Sequence, residues 1–83
     1  SLSGSVIEDE VLQMVAARID KLIITEKEII IIDYKYSQEK KVIPPAYQRQ
    51  LNLYKKLLAN IYKNHQIRGF ILFTQTPSLV EVK

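Results

Sequence analysis

Cysteine is absent from the 83 residues of this chain. Its absence excludes disulfide bonds, cysteine-based zinc fingers and iron–sulfur clusters, and it fits the reducing environment of the cytoplasm. The sequence also lacks any apolar run near the roughly twenty residues that are needed to span a bilayer. We therefore expect a globular cytoplasmic protein that has no membrane partner.

A strong charge of one sign is lacking as well, since 12 Lys and Arg residues oppose 9 Asp and Glu residues, for a net charge of +3. This excess permits nucleic-acid binding but does not argue for it, because a dedicated DNA-binding domain usually carries a denser basic patch. The length suits one small domain over residues 1–83, and the 47% of apolar residues suits a folded one. Because the chain does not begin with methionine and opens on what reads as a strand, we expect it to be a part of a longer protein.

Among the residues that are present, a run of four isoleucines, Ile29–Ile32, precedes Asp33, Tyr34 and Lys35. Isoleucine is β-branched and stiff at χ1, so the run is typical of a buried strand. Residues two apart on a strand share a face, and Asp33 and Lys35 therefore point the same way. An acid and a lysine at the end of a buried strand mark a candidate site.

The segment before this strand reads as its antiparallel partner, joined to it by the polar connection Glu26–Lys27. A two-residue loop there, or a four-residue loop around it, gives the same register, with Leu22 facing Ile31. In that register Asp20 faces Asp33. Facing like charges destabilise a sheet, and a divalent cation held between the carboxylates is the simplest compensation. These two acids and the lysine after them form our candidate cluster.

The hydrophobic pattern predicts an α/β fold, with a mixed sheet and the element order β-β-β-α-β-β. The helix opens at Pro44-Pro45, since proline is tolerated in a helical first turn. Gln50 falls in the apolar arc of this helix, where it needs hydrogen-bond partners from the fold or from a ligand. The other predicted elements are strands at Ser1–Ile7, Val11–Thr25, Ile67–Thr74 and Leu79–Val82, an acidic turn at Glu8–Glu10 and an exposed loop at Tyr36–Ile43.

Three polar residues outside the cluster have alternative interpretations. Lys40 and Lys41 lie in the exposed loop that follows the isoleucine strand, where they suit a solvated connector or a DNA contact. His65 is the single histidine, and it stands in the turn after the helix with no acid or cysteine beside it. That setting is more typical of a surface residue than of a catalytic one.

Two carboxylates and a lysine on neighbouring strands suit metal-assisted hydrolysis. Mg²⁺ prefers hard oxygen ligands and completes its coordination with water and substrate phosphate. A lysine beside such a metal orients the attacking water or stabilises charge in the transition state. The alternative is a structural ion pair of Lys35 with Asp20 or Asp33, without a metal.

Three ordered motifs carry a resemblance to a known family. They are Arg18-Ile19-Asp20-Lys21-Leu22, Ile32-Asp33-Tyr34-Lys35 and Gln50-Leu51-Asn52-Leu53-Tyr54. Together they resemble the nuclease domain of the RecB/AddA group in the PD-(D/E)XK superfamily. Asp20 matches the first acid of that family, and Asp33 and Lys35 match its DYK motif. Gln50 and Tyr54 match its QxxxY helix motif.

The end of the chain, Phe70–Thr74 followed by Leu79–Val82, is similar to the end of the AddA helicase–nuclease subunit, particularly in its alphaproteobacterial form. The resemblance therefore covers nearly the whole chain. It implies a Mg²⁺-dependent DNA exonuclease, with Mn²⁺ as a possible substitute, that belongs to a helicase–nuclease of double-strand break repair. The implied partners are DNA, helicase domains of the same chain and a second subunit.

The resemblance also implies a role for each matched residue. Asp20, Asp33 and the carbonyl of Tyr34 would hold the metal, Lys35 would assist the attacking water, and the helical motif would support the site and contact DNA. The family's first motif, a Glu or His on a helix upstream of the sheet, is missing, so we expect a restriction-endonuclease-like core without its first helix. A second hypothesis is therefore a non-catalytic module of the same fold that binds DNA or a partner subunit.

Overall fold

The computed structural model describes residues 2–83, with side chains from residue 6 onward. Its elements are α1 (Leu2–Arg18), β1 (Lys21–Ile24), β2 (Glu28–Lys35), α2 (Pro45–Ile61), β3 (Gln66–Phe73) and β4 (Ser78–Val82). The four strands of this described part form one sheet in the order β1-β2-β3-β4, whose outer pairs are antiparallel and whose central pair is parallel. The predicted α/β class, with a mixed sheet and a helix between β2 and β3, is confirmed.

The N-terminal segment differs from the prediction. We expected a strand at Ser1–Ile7, an acidic turn at Glu8–Glu10 and a long strand at Val11–Thr25. Instead, helix α1 occupies residues 2–18 and strand β1 is confined to Lys21–Ile24, while Ser1 lies outside the described residues. The order is therefore α-β-β-α-β-β, and the expectation of a core without its first helix is wrong.

Helical spacing in the sequence explains this difference. The buried or half-buried residues of the segment recur at intervals of three and four: Val11, Leu12, Val15 and Ile19. The alternating pattern relied on Ala16 and Ala17, which are both exposed. Alanine is the best helix former and says little about which face of a strand is buried. Gln13 adds a local contact, because its Nε2 donates to Oδ2 of Asp9 at 3.0 Å, one turn earlier.

The β1–β2 hairpin has the predicted register, with Leu22 opposite Ile31. Its connection is the two-residue loop Glu26–Lys27, closed by Thr25. The backbone N–H of Thr25 donates to the carbonyl of Glu28 at 2.8 Å, and the Thr25 hydroxyl accepts from the N–H of Glu28 at 2.9 Å. Thr25 therefore closes the turn through both its backbone and its side chain, and the hairpin forms without a glycine in the turn.

The two faces of the sheet differ in coverage. One face packs against α2, and α2 in turn contacts α1. The buried core on that side consists of Ile29, Ile31, Ile71, Phe73 and Val82 from the sheet, Leu51, Tyr54 and Leu58 from α2, and Val15 and Ile19 from the N-terminal segment. The alternate residues of the two central strands, among them Ile30, Ile32, Phe70 and Leu72, lie half-exposed on the opposite face. Successive side chains of a strand point to opposite faces. Asp33 and Lys35 therefore lie on the covered face, at the margin of the core.

Helix α2 begins where its proline pair predicts, with Pro44 as the N-cap and Pro45 as the first residue. It approaches β3 closely above Gly69, where an added Cβ would lie 3.2 Å from Cδ of Lys55. The stem of Lys55 lies against the sheet, and its Nζ donates to the carbonyl of Val82 at 3.3 Å. A long aliphatic stem allows the charged end to reach the edge of the sheet while the stem contributes to packing.

Candidate functional site

Asp20 and Asp33 meet at the C-terminal end of β2. Asp20 lies one position before the pair Lys21–Ile32, so the hairpin register places it opposite Asp33. Its Oδ2 accepts a hydrogen bond from the backbone N–H of Tyr34 at 2.8 Å. This bond holds the Asp20 carboxylate beside the end of β2, although Asp20 itself precedes the regular strand.

The Asp33 carboxylate is the more enclosed of the two acids, with 17% of its side chain exposed. Its Oδ2 is buried and lies 3.0 Å from Nζ of Lys35, yet it accepts no hydrogen bond of acceptable geometry from any residue that the structure describes. A buried carboxylate oxygen needs strong partners to offset its desolvation cost. The Lys35 ammonium is one such partner, and a cation held between the two carboxylates would be another.

The pKa values of the two carboxyl groups are displaced in opposite directions. The N–H of Tyr34 and the neighbouring Asp33 lower the pKa of Asp20. Burial and the adjacent Asp20 carboxyl raise the pKa of Asp33, and Lys35 only partly opposes that rise. Closely spaced carboxyl groups resist simultaneous ionisation unless a proton or a cation lies between them. Asp33 is thus the first of the two carboxyl groups to take up a proton as the pH falls.

Lys35 is fixed at both its main chain and its side chain. Its carbonyl accepts hydrogen bonds from the N–H and the hydroxyl of Thr74, at 3.0 and 3.3 Å, beyond the end of β3. Its Nζ lies 4.4 Å from the centroid of the Tyr47 ring and contacts Asp33 on another side. The sequence motifs described above do not include Tyr47. The signal that marks it is its place in the first turn of α2, one turn before the glutamine motif.

The carbonyl of Tyr34 lies on the same side of β2 as Asp20. Successive carbonyls of a strand point to opposite sides, and the carbonyl of Lys35 points towards β3, where it meets Thr74. The carbonyl of Tyr34 therefore points towards the β1 side. Asp20 lies on that side, because it accepts the N–H of Tyr34.

Gln50 and Tyr54 contact each other, which gives Gln50 a hydrogen-bond partner within the fold. Gln50 is exposed although it falls in the apolar arc of α2, and its Nε2 donates to the Tyr54 hydroxyl at 3.4 Å. Tyr54 is 9% exposed and belongs to the core. His65 lies in the turn that joins α2 to β3, with its Nε2 3.0 Å from the carbonyl of Thr25.

The oxygen donors around Asp33 fit a hard divalent cation. Two carboxylates and one carbonyl are ligands of the kind that Mg²⁺ prefers, and Oδ2 of Asp33 is a buried member of this set. Within residues 2–83, no group of three or more His, Asp or Glu side chains is placed to hold a metal. Helix α1 does not supply a third acid, since Glu8–Glu10 lie about two turns or more from its C-terminal end.

Comparison with protein families decides what kind of domain this is. The sequence profile of the PD-(D/E)XK nuclease superfamily matches residues 4–82. The chain belongs to this superfamily. Its mixed sheet, with α2 between the parallel strands β2 and β3, is consistent with the restriction-endonuclease-like core of PD-(D/E)XK domains. Searches of curated proteins and of solved structures gave no match.

Membership of the PD-(D/E)XK superfamily indicates a nuclease-type function. Its members usually cleave DNA and generally use divalent metal ions. The described part of this PD-(D/E)XK domain contains no helix that is both long and apolar enough to cross a membrane.

Proposed function

We propose that this domain is the core of a Mg²⁺-dependent DNA nuclease that hydrolyses phosphodiester bonds. One observation carries the proposal: Asp20 and Asp33 face each other at the end of β2, beside the ammonium of Lys35, and Oδ2 of Asp33 is buried. A structural cluster gains nothing from two facing carboxylates. A cation between them relieves their repulsion.

Each residue of the cluster has a distinct task in this proposal. Asp20, Asp33 and the carbonyl of Tyr34 would hold the ion. When bound, Mg²⁺ supplies charge neutralisation at the phosphate and activation of water. Lys35 presents a compact cation with three donors beside the acidic pair. It would orient the attacking water or stabilise the charge that develops on the phosphate.

The DNA would approach from the end of the sheet where α2 begins. Gln50 is exposed on that helix and would contact the DNA, while the buried Tyr54 would support it through the hydroxyl. Exposed cations in the loop before α2 and on α2 itself are Lys40, Lys41, Arg49 and Lys56. Lysine and arginine side chains bind the phosphate backbone irrespective of sequence, so we infer a nuclease without strong sequence preference.

The finer assignment is to the RecB/AddA type. In that assignment the domain acts as an exonuclease, with Mn²⁺ as a substitute for Mg²⁺, in a helicase–nuclease of double-strand break repair and homologous recombination. Helicase domains of the same chain and a second subunit would be its partners in the cytoplasm. The three ordered motifs around Asp20, Asp33 and Gln50 support this assignment.

A Mn²⁺ titration followed by NMR tests the metal site. We expect paramagnetic broadening centred on Asp20, Asp33 and Tyr34, and we expect it to disappear in Asp33→Asn. Glu81→Gln is the matched control, because it neutralises an acid elsewhere on the same sheet. Absence of localised broadening at millimolar Mn²⁺ would contradict the proposal.

A cleavage assay on linear double-stranded DNA in Mg²⁺ tests the reaction. We expect cleavage by the wild type, none by Asp33→Asn and normal cleavage by Glu81→Gln. Metal binding together with DNA binding, but without cleavage, would instead support a non-catalytic module of this fold.

A further inference from the structure

The Lys35 ammonium lies between two attractive neighbours of different kinds. Its Nζ is 3.0 Å from Oδ2 of Asp33 and 4.4 Å from the centroid of the Tyr47 ring. A cation within about 6 Å of an aromatic face is attracted by the negative charge density above the ring. With 26% of its side chain exposed, Lys35 is enclosed enough for this attraction to position it.

The two neighbours respond differently when Asp33 binds a metal ion. A carboxylate that ligates a cation shares its charge with that cation, so its attraction for the ammonium weakens. The face of a tyrosine ring carries no net charge and offers no ligand oxygen, so its attraction persists. We propose that Tyr47 is a positioning residue, which keeps the Lys35 ammonium at the acidic pair while Asp33 holds the metal. This inference rests on the proposed function.

The fold fixes the ring of Tyr47 independently of Lys35. Tyr47 stands in the first turn of α2, and its backbone N–H donates to the carbonyl of Pro44 at 2.9 Å. Pro44 and Pro45 restrict the backbone just before it. The ring is half-buried and packs against the core. Lys35 therefore meets an aromatic face that is already in place.

Three variants separate positioning from packing. Tyr47→Phe keeps the aromatic face, whereas Tyr47→Leu removes it and keeps an apolar side chain. Tyr62→Leu is the matched control, since Tyr62 is also half-buried against the core but lies just past the other end of α2, beside His65. Tyr47→Met replaces Tyr47→Leu if the leucine variant does not fold.

The first measurement is the NMR chemical shift of the Lys35 side chain in the metal-free protein. Protons above an aromatic ring are displaced upfield, so we expect this displacement for the Hε protons in the wild type, Tyr47→Phe and Tyr62→Leu. We expect it to be lost in Tyr47→Leu. An unchanged Lys35 spectrum in Tyr47→Leu would overturn the proposal, whether or not the protein cleaves DNA.

The second measurement compares the cleavage rate with the apparent affinity for Mg²⁺. We expect Tyr47→Leu to cleave roughly three- to thirtyfold more slowly at saturating Mg²⁺, with its Mg²⁺ affinity unchanged. Tyr47→Phe should stay within about twofold of the wild type, because its ring attracts the cation similarly. An equal loss in Tyr62→Leu, or a loss of Mg²⁺ affinity in Tyr47→Leu, would overturn the positioning role.

Failure of the proposed function has a separate signature. A wild type that neither binds Mn²⁺ nor cleaves DNA would refute the nuclease assignment. The side-chain spectra would then decide alone whether Tyr47 holds the ammonium.

Discussion

Two clusters on this sheet contain the same charges, two acids and one base, but differ in how those charges are satisfied. In the first, the ammonium of Lys35 contacts Asp33 at 3.0 Å, and Asp20 faces Asp33. In the second, on the uncovered face, the guanidinium of Arg68 contacts Glu81 through two hydrogen bonds of 2.9 and 3.1 Å. It also lies 3.6 Å from Glu28. Formal charge alone does not distinguish the two clusters.

The pKa directions distinguish them. Arg68 lowers the pKa of Glu81, as expected for a carboxylate that is paired in its charged form. Burial and Asp20 raise the pKa of Asp33, although Lys35 is only 3.0 Å away. The planar fork of arginine matches a carboxylate with two parallel bonds, whereas a single ammonium cannot satisfy two acids that face each other. The charges of the Arg68 cluster compensate one another, whereas a further positive charge would stabilise the two carboxylates of the Asp33 cluster.

The largest expected contrast between the two clusters is in catalysis. Asp33→Asn should lower the rate of Mg²⁺-dependent DNA cleavage by about a hundredfold or more, because the amide no longer provides a charged ligand. Glu81→Gln should stay within about twofold of the wild type. The measurement is the initial rate of cleavage of linear DNA, and a similar loss in both variants would remove the distinction between the clusters.

The next largest contrast between the two clusters is in stabilisation by Mg²⁺. At a Mg²⁺ concentration about ten times its Kd, binding to the folded state adds roughly 1.4 kcal/mol, which raises the Tm of a domain of this size by about 5–10 °C. We expect this rise in the wild type and in Glu81→Gln, and its absence in Asp33→Asn. Thermal melts with and without Mg²⁺ test this expectation. A rise in Asp33→Asn equal to that of the wild type would place the ion elsewhere.

Without metal, the same two substitutions should change stability in opposite directions at neutral pH. Asp33→Asn removes the repulsion between facing carboxylates, which costs up to about 1 kcal/mol in a sheet, so the Tm should rise by a few degrees. Glu81→Gln removes a paired charge, so the Tm should fall. Differential scanning calorimetry in EDTA measures both changes. A fall in Tm for Asp33→Asn would show that its ion pair with Lys35 outweighs the repulsion.

The smallest expected contrast is in the pH dependence of metal-free stability. The pKa of Asp33 is raised by folding, so its stabilising contribution is complete below its unfolded pKa of 3.8 and is lost as the pH rises through the folded value. The pKa values of Asp20 and Glu81 are lowered, so their contributions are lost as the pH falls through their folded values. In melting curves between about pH 2 and 8, the Tm of Asp33→Asn should fall less above pH 4 than that of the wild type. Glu81→Gln should instead reduce the loss of Tm at acidic pH. If the Tm of Asp33→Asn falls above pH 4 as much as that of the wild type, the assignment of this decline to Asp33 is disproved.

Much of the candidate site follows from the local sequence. Four isoleucines mark a buried strand, and a two-residue connection fixes the register, so the meeting of Asp20 with Asp33 is predictable without knowledge of the whole fold. The same local rules predict the start of α2 at its proline pair and the two C-terminal strands. In each of these cases the information lies within about ten residues of the feature.

The parts that were mistaken or missed depend on longer contacts. Helix α1 was read as strands because Ala16 and Ala17 fit both periods, and its apolar stripe is recognised only when its partner α2 is known. Gln50 belongs to the apolar arc of α2, and the periodicity of the helix does not reveal that its side chain is exposed. The contact of Tyr47 with Lys35 joins a helix to a strand across the loop 36–44. It cannot be predicted from the periodicity of either element.

The parallel pairing of β2 with β3 has a consequence for the order of folding. Asp20 and Tyr34 are separated by 14 residues, whereas Lys35 and Thr74 are separated by 39. Closing the shorter loop costs less entropy, so the hairpin forms before the crossover through α2 is complete. The two carboxylates therefore meet while water still surrounds them, and their repulsion becomes costly only when the core closes. Asp33→Asn should accordingly slow unfolding and leave the folding rate nearly unchanged.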